Sequence, residues 1–430
     1  MRNACRTLTT VFPFIVFLLI ALLSSSALIA QSLTLEQAYA LARQNYPLAK
    51  QKDLIKQTAE ISIENLNKGY LPQIVLSAQA TLQSAVTEPT IPTPGFLIQI
   101  QDKDQYKVLV ADLNQVIYDG GNIRNQKEIQ KLNSAVEDQR LEVELYKLIE
   151  RINQVYLSVL YIDEQIKQVQ LVKEDFNNGI KRVEAQVKNG VAFRSNLDVL
   201  KAELLRNDQR LIELHATRKG LVDVLSLLIN QSLDPNVQLE KPKTELGLNS
   251  EVKRPEIKLY DDQARLVLQQ KELVRSRNLP KASFFVQGGY MKPGLNLFLN
   301  SYDWFYFGGV RLNWSLSSLY TSKKEKQIAD VTKRMVDLQK ETFVLNSNTQ
   351  LKQQQSEIDK LQQLISTDQA IIDLRKSIKD AARAQLENGV ITSNDYLREV
   401  NAEDQSRQTL ITHQLQLLQA QINFQTILGK

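Results

Sequence analysis

Side chains that commonly carry catalysis or bind metal ions are scarce in this 430-residue chain. It has two histidines, His215 and His413, each alone within a helical sequence pattern, and one cysteine, Cys5. Catalytic and zinc sites bring such residues together in clusters, so isolated ones indicate surface or packing roles. Motifs of serine hydrolases, phosphate-binding loops and dinucleotide-binding folds are also missing. We therefore expect no enzyme, no catalytic residue, no cofactor and no metal site.

The first thirty residues have the pattern of a secretory signal. Arg2 and Arg6 precede an apolar run at residues 11–23, and small residues follow it. The run is shorter than the about 20 apolar residues of a membrane-spanning helix, and an N-terminal anchor is the alternative. No later stretch approaches the about 18 apolar residues of a second span. The protein is therefore predicted to be exported, and the mature chain to contain no thiol.

The overall composition favours an ordered structure with a solvated surface. Hydrophobic residues make up 43% of the chain and charged residues 23%. Removal of the signal would lower the formal charge from +5 to +3, and the two signs are interleaved. We therefore expect no nucleic-acid partner.

The mature part of the sequence contains the same pattern twice. Each half has two prolines 25 residues apart, and an asparagine that precedes a glycine by 76 residues. The paired residues are Pro47 and Pro72, Pro255 and Pro280, Asn114 and Gly190, and Asn313 and Gly389. The text around the glycines also recurs, as AQVKNGV and AQLENGV. Equal spacings and similar text predict an internal duplication.

Long helices dominate both halves. Residues 122–178 and 310–388 contain neither glycine nor proline and are rich in helix-forming residues. Apolar residues recur at steps of three and four from Leu141 to Val169, and a similar series follows Gly190. A helix that fills most of 76 residues would be on the order of 100 Å long. Each repeat is therefore predicted to form a long helical hairpin.

Four shorter segments alternate with the period of a strand, apolar or small on one face and more polar on the other. The predicted apolar positions are Ile74, Leu76, Ala78, Ala80 and Leu82; Leu109, Ala111, Leu113 and Ile117; Ala282, Phe284, Val286, Gly288 and Tyr290; and Tyr306, Val310, Leu312, Trp314 and Leu316. This pattern is typical of a membrane barrel wall, with Tyr290, Trp304 and Tyr306 as an interfacial aromatic belt. The alternative is a soluble hairpin packed on the helices.

The number of strands favours the barrel and predicts an oligomer. Four strands cannot close a barrel, and an open sheet edge in lipid leaves backbone groups unpaired at several kcal/mol each. Membrane barrels begin at about eight strands. Several copies must therefore contribute to one wall, and cyclic symmetry is the natural arrangement.

The sequence resembles the TolC-type outer-membrane factors over nearly the whole mature chain. The residues that carry the resemblance are Leu71-Pro72 and Leu279-Pro280 before strands, Tyr118-Asp119-Gly120-Gly121 after a strand, and the Asn-Gly-Val turns followed by Asp198-Val199-Leu200 and Asp395-Tyr396-Leu397. The resemblance implies an α+β membrane protein in which three chains form one 12-stranded β-barrel, with four strands per chain. A long α-helical coiled-coil barrel would continue it across the periplasm.

The resemblance also implies which residues meet partners. In such proteins the turns at the far periplasmic end dock an adaptor protein. By position these turns are Asn189, Gly190 and Val191, and Asn388, Gly389 and Val390. A glycine at positive φ ends a long helix and allows a tight reversal, so a purely structural role as helix caps is the alternative.

A periplasmic gate is implied next to those turns. The family's gate aspartate corresponds to Asp395, but Arg398 stands where a second aspartate is expected, and Ile391 where an arginine is expected. In the first repeat Asp198 lies two residues further from its glycine than Asp395 does. Three copies of Asp395 on a threefold axis would repel one another, so we expect Arg398 to pair with Asp395 or Asp198. The alternative is an exposed pair worth at most about 1 kcal/mol.

These observations predict an outer-membrane exit duct for a tripartite efflux pump or a type I secretion system. The expected partners are two further copies, a periplasmic adaptor, an inner-membrane transporter and outer-membrane lipid. The predicted domains are a signal at 1–30, a first repeat at 31–232, a linker at 233–253 and a second repeat at 254–430. The alternative function is an exported periplasmic coiled-coil scaffold or adaptor without a channel.

Overall fold

The computed structural model describes residues 32–86, 102–243, 251–296 and 299–430. The predicted signal and Cys5 lie outside the described residues, as do residues 87–101 between the first two predicted strand segments and part of the predicted linker. No described helix combines the length and the apolar character that a membrane-crossing helix needs.

Seven α-helices and six β-strands lie in the described residues. The helices are α1 (Leu35–Asn45), α2 (Gln51–Asn67), α3 (Asn122–Lys188), α4 (Arg194–Ile229), α5 (Pro255–Arg277), α6 (Ser318–Glu387) and α7 (Ser393–Leu428). The strands are β1 (Ser32–Leu33), β2 (Gln73–Leu82), β3 (Asp104–Tyr118), β4 (Gln238–Leu239), β5 (Lys281–Lys292) and β6 (Asp303–Asn313). After β1 and α1, each half has the order helix, two long strands and two long helices.

The end of α3 agrees with the turn predicted at Asn189, Gly190 and Val191, whereas the end of β6 differs from the sequence-based expectation. Helix α3 continues ten residues beyond the glycine-free segment, through Gly179 to Lys188. A Cβ atom at Gly179 would lie 3.5 Å from a ring carbon of Tyr396, and tertiary packing there outweighs a helix-propensity cost of about 1 kcal/mol. Strand β6 ends at Asn313, because its partner β5 begins at Lys281 opposite that residue. The prediction that Trp314 and Leu316 continue the strand is therefore wrong.

The four long strands form one antiparallel sheet in the order β2, β3, β5, β6. The central pair joins the two halves of the chain, with Leu113 opposite Val286 and Ala111 opposite Gly288. Gly289 is required at a close approach, since a Cβ atom there would lie 2.2 Å from the carbonyl oxygen of Leu109. The short strands β1 and β4 form a separate parallel pair.

The chain forms two compact units. The helical unit contains described residues up to 49 and those of 145–252 and 347–430. The sheet unit contains residues 50–144 and 253–346. Helices α3 and α6 are each divided between the two units.

The helical unit has several apolar cores along its helices. One core packs α1, α3, α4 and α7 around Tyr156, whose hydroxyl lies 2.7 Å from the carbonyl oxygens of both Leu33 and Glu240. A second core, here called the tip core, lies where α3 and α6 end and α4 and α7 begin. Its buried residues are Val172, Phe176, Val183, Leu197, Leu200, Ala382, Leu386, Tyr396, Leu397 and Val400.

Candidate functional site

The long sheet has one face on which the large apolar side chains are exposed. Strand pairing places Leu76, Ala111, Gly288 and Tyr306 in one row on this face, and a neighbouring row contains Ile74 and Val286. The exposed members are Ile74, Leu76, Leu109, Phe284, Trp304, Tyr306, Val310 and Leu312. Most of the predicted apolar positions therefore share one face. The exceptions are Ala78 and Ile117, which lie at irregularities of the strand pairing, and Trp314 and Leu316, which lie beyond β6. Such a surface fits lipid.

Aromatic rings gather on that face where β5 ends and where β3 and β6 begin. Tyr290 lies 5.2 Å from Trp304 and 5.6 Å from Tyr302 between ring centroids. Tyr302 also faces Tyr106 at 6.5 Å. The predicted belt residue Tyr306 is 83% exposed on the same face. Amphipathic rings in such a row suit a membrane–water interface.

The opposite face is less polar than the sequence pattern predicts. Phe307 contacts Phe285 and Phe305 at centroid distances of 6.2 and 6.0 Å, and the guanidinium of Arg311 lies 4.4 Å from the Phe285 ring centroid. Val110 is only 2% exposed beside this group. The sequence-based prediction described this face only by its polar and glycine positions, so it missed Phe285, Phe305 and Phe307.

Both outer edges of the sheet are open. Within the described residues β2 pairs only with β3, and β6 pairs only with β5. Each edge therefore presents a row of backbone donors and acceptors that a further strand can satisfy.

The two predicted tip turns have the same backbone geometry. Gly190 and Gly389 have φ of +72° and +71°. In the first turn Val191 N donates to Gln186 O at 2.8 Å, and Gly190 N to Val187 O at 3.0 Å. The second turn repeats both hydrogen bonds within 0.1 Å. This pair of hydrogen bonds is the Schellman motif, which ends a helix at a glycine in the left-handed conformation.

Side chains hold the two turns against each other. The Gln186 amide donates to Leu386 O at 3.0 Å and Glu387 O at 3.1 Å, which satisfies carbonyls at the end of α6. Arg182 and Glu387 form an ion pair. With the tip core beneath them, these contacts make the two turns one rigid surface. Val191 and Val390 are 69% and 71% exposed on that surface.

The predicted gate residue Asp395 lies in the first turn of α7. It closes a capping box: Asp395 N donates to Thr392 Oγ1, and Thr392 N and Oγ1 donate to Asp395 Oδ2 at 3.2 and 2.7 Å. These hydrogen bonds from Thr392, with a smaller contribution from Arg398, hold the pKa of Asp395 below its ordinary value. The carboxylate is therefore charged at neutral pH and partly exposed.

The other two predicted gate residues lie nearby on exposed helix surfaces. Arg398 approaches Asp395 Oδ1 at 3.9 Å and Glu399 Oε1 at 3.3 Å, and its side chain is mostly exposed. Asp198 is exposed near the start of α4. In the described part of this single chain, no ion pair joins Asp198 to Arg398.

Comparison with known proteins identifies the fold. No protein-family model matches the sequence, and no curated protein matches it either. The outer membrane protein VceC of Vibrio cholerae matches with a TM-score of 0.66 and 15% identity over 92% of this chain and 96% of its own. CusC, whose structures concern transmembrane channel formation, matches with a TM-score of 0.67 and 15% identity over 92% and 91%. The open outer membrane channel MtrE of Neisseria gonorrhoeae matches with a TM-score of 0.63 and 15% identity over 92% and 88%.

This chain has the fold of these outer-membrane channels. The resemblance predicted from the sequence is therefore confirmed at the level of the fold. The matches extend over nearly the full length of both chains, so the long helices and the sheet belong to one known architecture.

The outer-membrane channel fold of this chain contains a buried charge cluster that the sequence did not reveal. Lys379 Nζ lies 2.7 Å from Asp175 Oδ2 and 2.6 Å from Glu403 Oε2, and Arg407 donates to Glu403 Oε1 at 2.6 Å. The cluster joins α3, α6 and α7 close to the tip core. The spacing of Glu403 and Arg407 at i and i+4 indicates an ion pair in the sequence, but nothing in the sequence indicates that Lys379 is buried.

Lys379 and Glu403, the two central groups of this cluster, stay charged because each compensates the charge of the other. Burial lowers the pKa of Lys379, but the hydrogen bonds from its ammonium to Asp175 and Glu403 outweigh burial, and the net pKa is raised. Burial raises the pKa of Glu403, but hydrogen bonds from Lys379 and Arg407 outweigh it, and the net pKa is lowered. Removal of one partner would leave an uncompensated buried charge.

Proposed function

We propose that this protein is a homotrimeric exit duct of the outer membrane. The observation that carries the proposal is a four-stranded sheet with an exposed apolar face and two open edges. In lipid, each unpaired backbone group costs several kcal/mol, so the edges must be joined to other strands. Three copies supply twelve strands, above the about eight of the smallest membrane barrels. In this arrangement β2 of one copy pairs with β6 of the next.

An exposed apolar row on α6 within the sheet unit supports an assembly of several copies. Four apolar side chains follow one another at steps of three, four and three residues, and each is more than half exposed. They are Ile328, Val331, Met335 and Leu338. Such a row is the apolar stripe of a coiled coil, and a helix of a neighbouring copy would cover it.

We further propose that the two repeats, residues 31–232 and 254–430, alternate around the threefold axis. The apolar sheet face would contact outer-membrane lipid and the opposite face would line the lumen. The helices would continue this barrel as a coiled-coil tunnel into the periplasm. The protein would act without catalysis or cofactor, as a passive duct for a tripartite efflux pump or a type I secretion system.

The rigid tip surface is the proposed contact with a periplasmic adaptor, which would connect the duct to an inner-membrane transporter. Its backbone positions are Asn189, Gly190, Val191, Asn388, Gly389 and Val390. Asp395, Arg398 and Asp198 are the proposed gate. Three copies of Asp395 near one axis would repel one another, and Arg398 is positioned at 3.9 Å to offset that charge.

The test is to express the full chain in a Gram-negative host and to purify the protein from its outer membrane. We expect a trimer that resists detergent and forms conducting pores in planar lipid bilayers. A soluble periplasmic monomer without conductance would contradict the duct and support the coiled-coil scaffold.

A further inference from the structure

The two tip turns share a backbone conformation but differ at the residue that begins the next helix. In the second turn, residues 384–396, Thr392 precedes α7 and forms the capping box with Asp395. In the first turn, residues 185–197, Phe193 precedes α4 with φ −75° and ψ 146°, close to the −82° and 162° of Thr392, but makes no side-chain cap hydrogen bond. Helix starts favour side-chain oxygens that accept from free backbone N–H groups. Phe193 therefore lacks the chemistry that its position favours.

Packing within the chain does not account for Phe193 either. Its side chain is 82% exposed, while the tip core is closed by other residues of α4, Leu197 and Leu200. Val191 lies two residues away and is also mostly exposed. Exposed aromatic surface is unfavourable in water, and aromatic residues are enriched at the energetic centres of protein interfaces.

The two turns also carry opposite charge. The charged residues of the first turn are Lys188 and Arg194, and those of the second turn are Glu387 and Asp395. A basic turn with an exposed phenylalanine thus lies beside an acidic turn with a capped helix. The two are held together by the Gln186 side chain, so a partner meets both charges at once.

We propose that the first turn anchors the periplasmic partner protein, and that Phe193 is the anchoring side chain. This inference rests on the proposed function. Phe193 enters an apolar pocket of the partner, and carboxylates at the rim of that pocket meet Lys188 and Arg194. The second turn contributes shape, but its own charged residues, Glu387 and Asp395, offer the partner's carboxylates no matching cation, which fixes the register of the partner on the alternating turns.

The charge pattern favours a protein over a lipid surface. A basic turn with an aromatic side chain would suit an anionic membrane on its own. On the same surface, however, Glu387 is paired with Arg182 and Asp395 lies 3.9 Å from Arg398, so the second turn adds no net attraction for anionic headgroups. A protein partner can match both signs within a few residues.

The test compares Phe193→Thr with Val390→Thr, a matched removal of exposed apolar surface from the second turn. The probe is the purified periplasmic adaptor whose deletion abolishes export through this channel in the host. Its affinity for the detergent-purified trimer is measured at low and high salt, together with the melting temperature of each variant. Binding of each trimer to vesicles of phosphatidylglycerol and phosphatidylethanolamine is measured in parallel.

We expect Phe193→Thr to weaken adaptor binding about 10-fold or more, with a melting temperature equal to or above that of the parent, because threonine restores a cap. Val390→Thr should weaken binding less. Equal losses in the two variants, or a lowered melting temperature for Phe193→Thr alone, would overturn the anchor. Loss of vesicle binding with unchanged adaptor affinity would assign the turn to the membrane instead. If the parent conducts and Phe193→Thr binds the adaptor as tightly as the parent, the anchor is refuted but the proposed duct is not. If the parent is a non-conducting monomer, both the anchor and the proposed duct are contradicted.

Discussion

Replacement of Lys379 by methionine tests the buried charge cluster of the helical unit. The Lys379 side chain is 10% exposed and that of Glu403 is 4% exposed, so water cannot replace the lost ammonium. Removing one partner of a buried ion pair typically costs about 3 to 5 kcal/mol. Arg407 remains bonded to Glu403, and Asp175 is about a quarter exposed. We therefore expect the lower end of that range, about 3 kcal/mol.

The loss should depend on pH in a defined direction. In the parent the folded pKa of Glu403 lies below its ordinary value of 4.5, so the carboxylate stabilises the fold above that pH and its contribution is lost as the pH falls. The raised pKa of Lys379 gives a contribution that is complete below 10.5 and lost only above it. Without Lys379, burial should raise the pKa of Glu403. The deficit of the variant should therefore be largest at neutral pH and, as the pH falls, should begin to shrink above pH 4.5, where Glu403 of the variant takes up a proton.

Amide hydrogen exchange of the intact trimer measures this local stability. A loss of 3 kcal/mol corresponds to a drop of about 150-fold in the protection of the amides at the start of α7. Lys376→Met is the matched control, because Lys376 is exposed on the same helix and should change stability by less than about 0.5 kcal/mol. Equal protection in the two variants at neutral pH would refute the reasoning.

Three further predictions concern the membrane, the tips and the gate. Val286→Arg places a charge on the apolar sheet face and should lower the stability of the inserted barrel by about 2 to 4 kcal/mol, measured by urea unfolding in lipid; normal insertion would show that the face is wrong. Gly190→Trp or Gly389→Trp should reduce export in cells at unchanged trimer levels, and undiminished export would refute docking at the turns. Arg398→Ala should raise single-channel conductance, and Asp395→Asn, which keeps the helix cap, should weaken cation preference; currents equal to those of the parent would remove both from the gate.

The sequence predicts the fold well wherever a period is long and uninterrupted. Alternation placed Leu76, Ala111, Gly288 and Tyr306 on apolar faces, and the strand register brings those four residues into one row. The end of β6 was less predictable, because it depends on where its partner β5 begins. Trp314 and Leu316 continue the alternation of the sequence but lie beyond the strand.

The candidate site was predicted only in part. The sequence indicates the backbone conformation of the turns, but it does not indicate which side chains contact each other across the fold. Positive φ at Gly190 follows from the end of a helical pattern, so the turns could be found from the sequence. The contact of Gln186 with the end of α6 could not, because it joins residues 200 positions apart. Lys379 looks like one of many solvated lysines until α3 and α7 are packed around it. Phe285 lies between Ser283 and Gln287 on its face of the strand, and Phe307 lies beside Gly309, so the alternation concealed their cluster.

The pairing of β2 with β6 of the next copy is the claim on which the duct depends most directly. Cys5 is the only cysteine of the sequence and lies in the predicted signal, so introduced cysteines would be the only thiols of the mature chain. Ser77→Cys is combined in turn with Phe307→Cys, Gly309→Cys and Arg311→Cys, and protein from outer membranes is oxidised and separated without reductant. We predict that one combination gives disulfide-linked dimers and trimers and no larger species. Monomers in all three combinations, or a ladder that extends beyond three copies, would contradict a closed trimeric barrel.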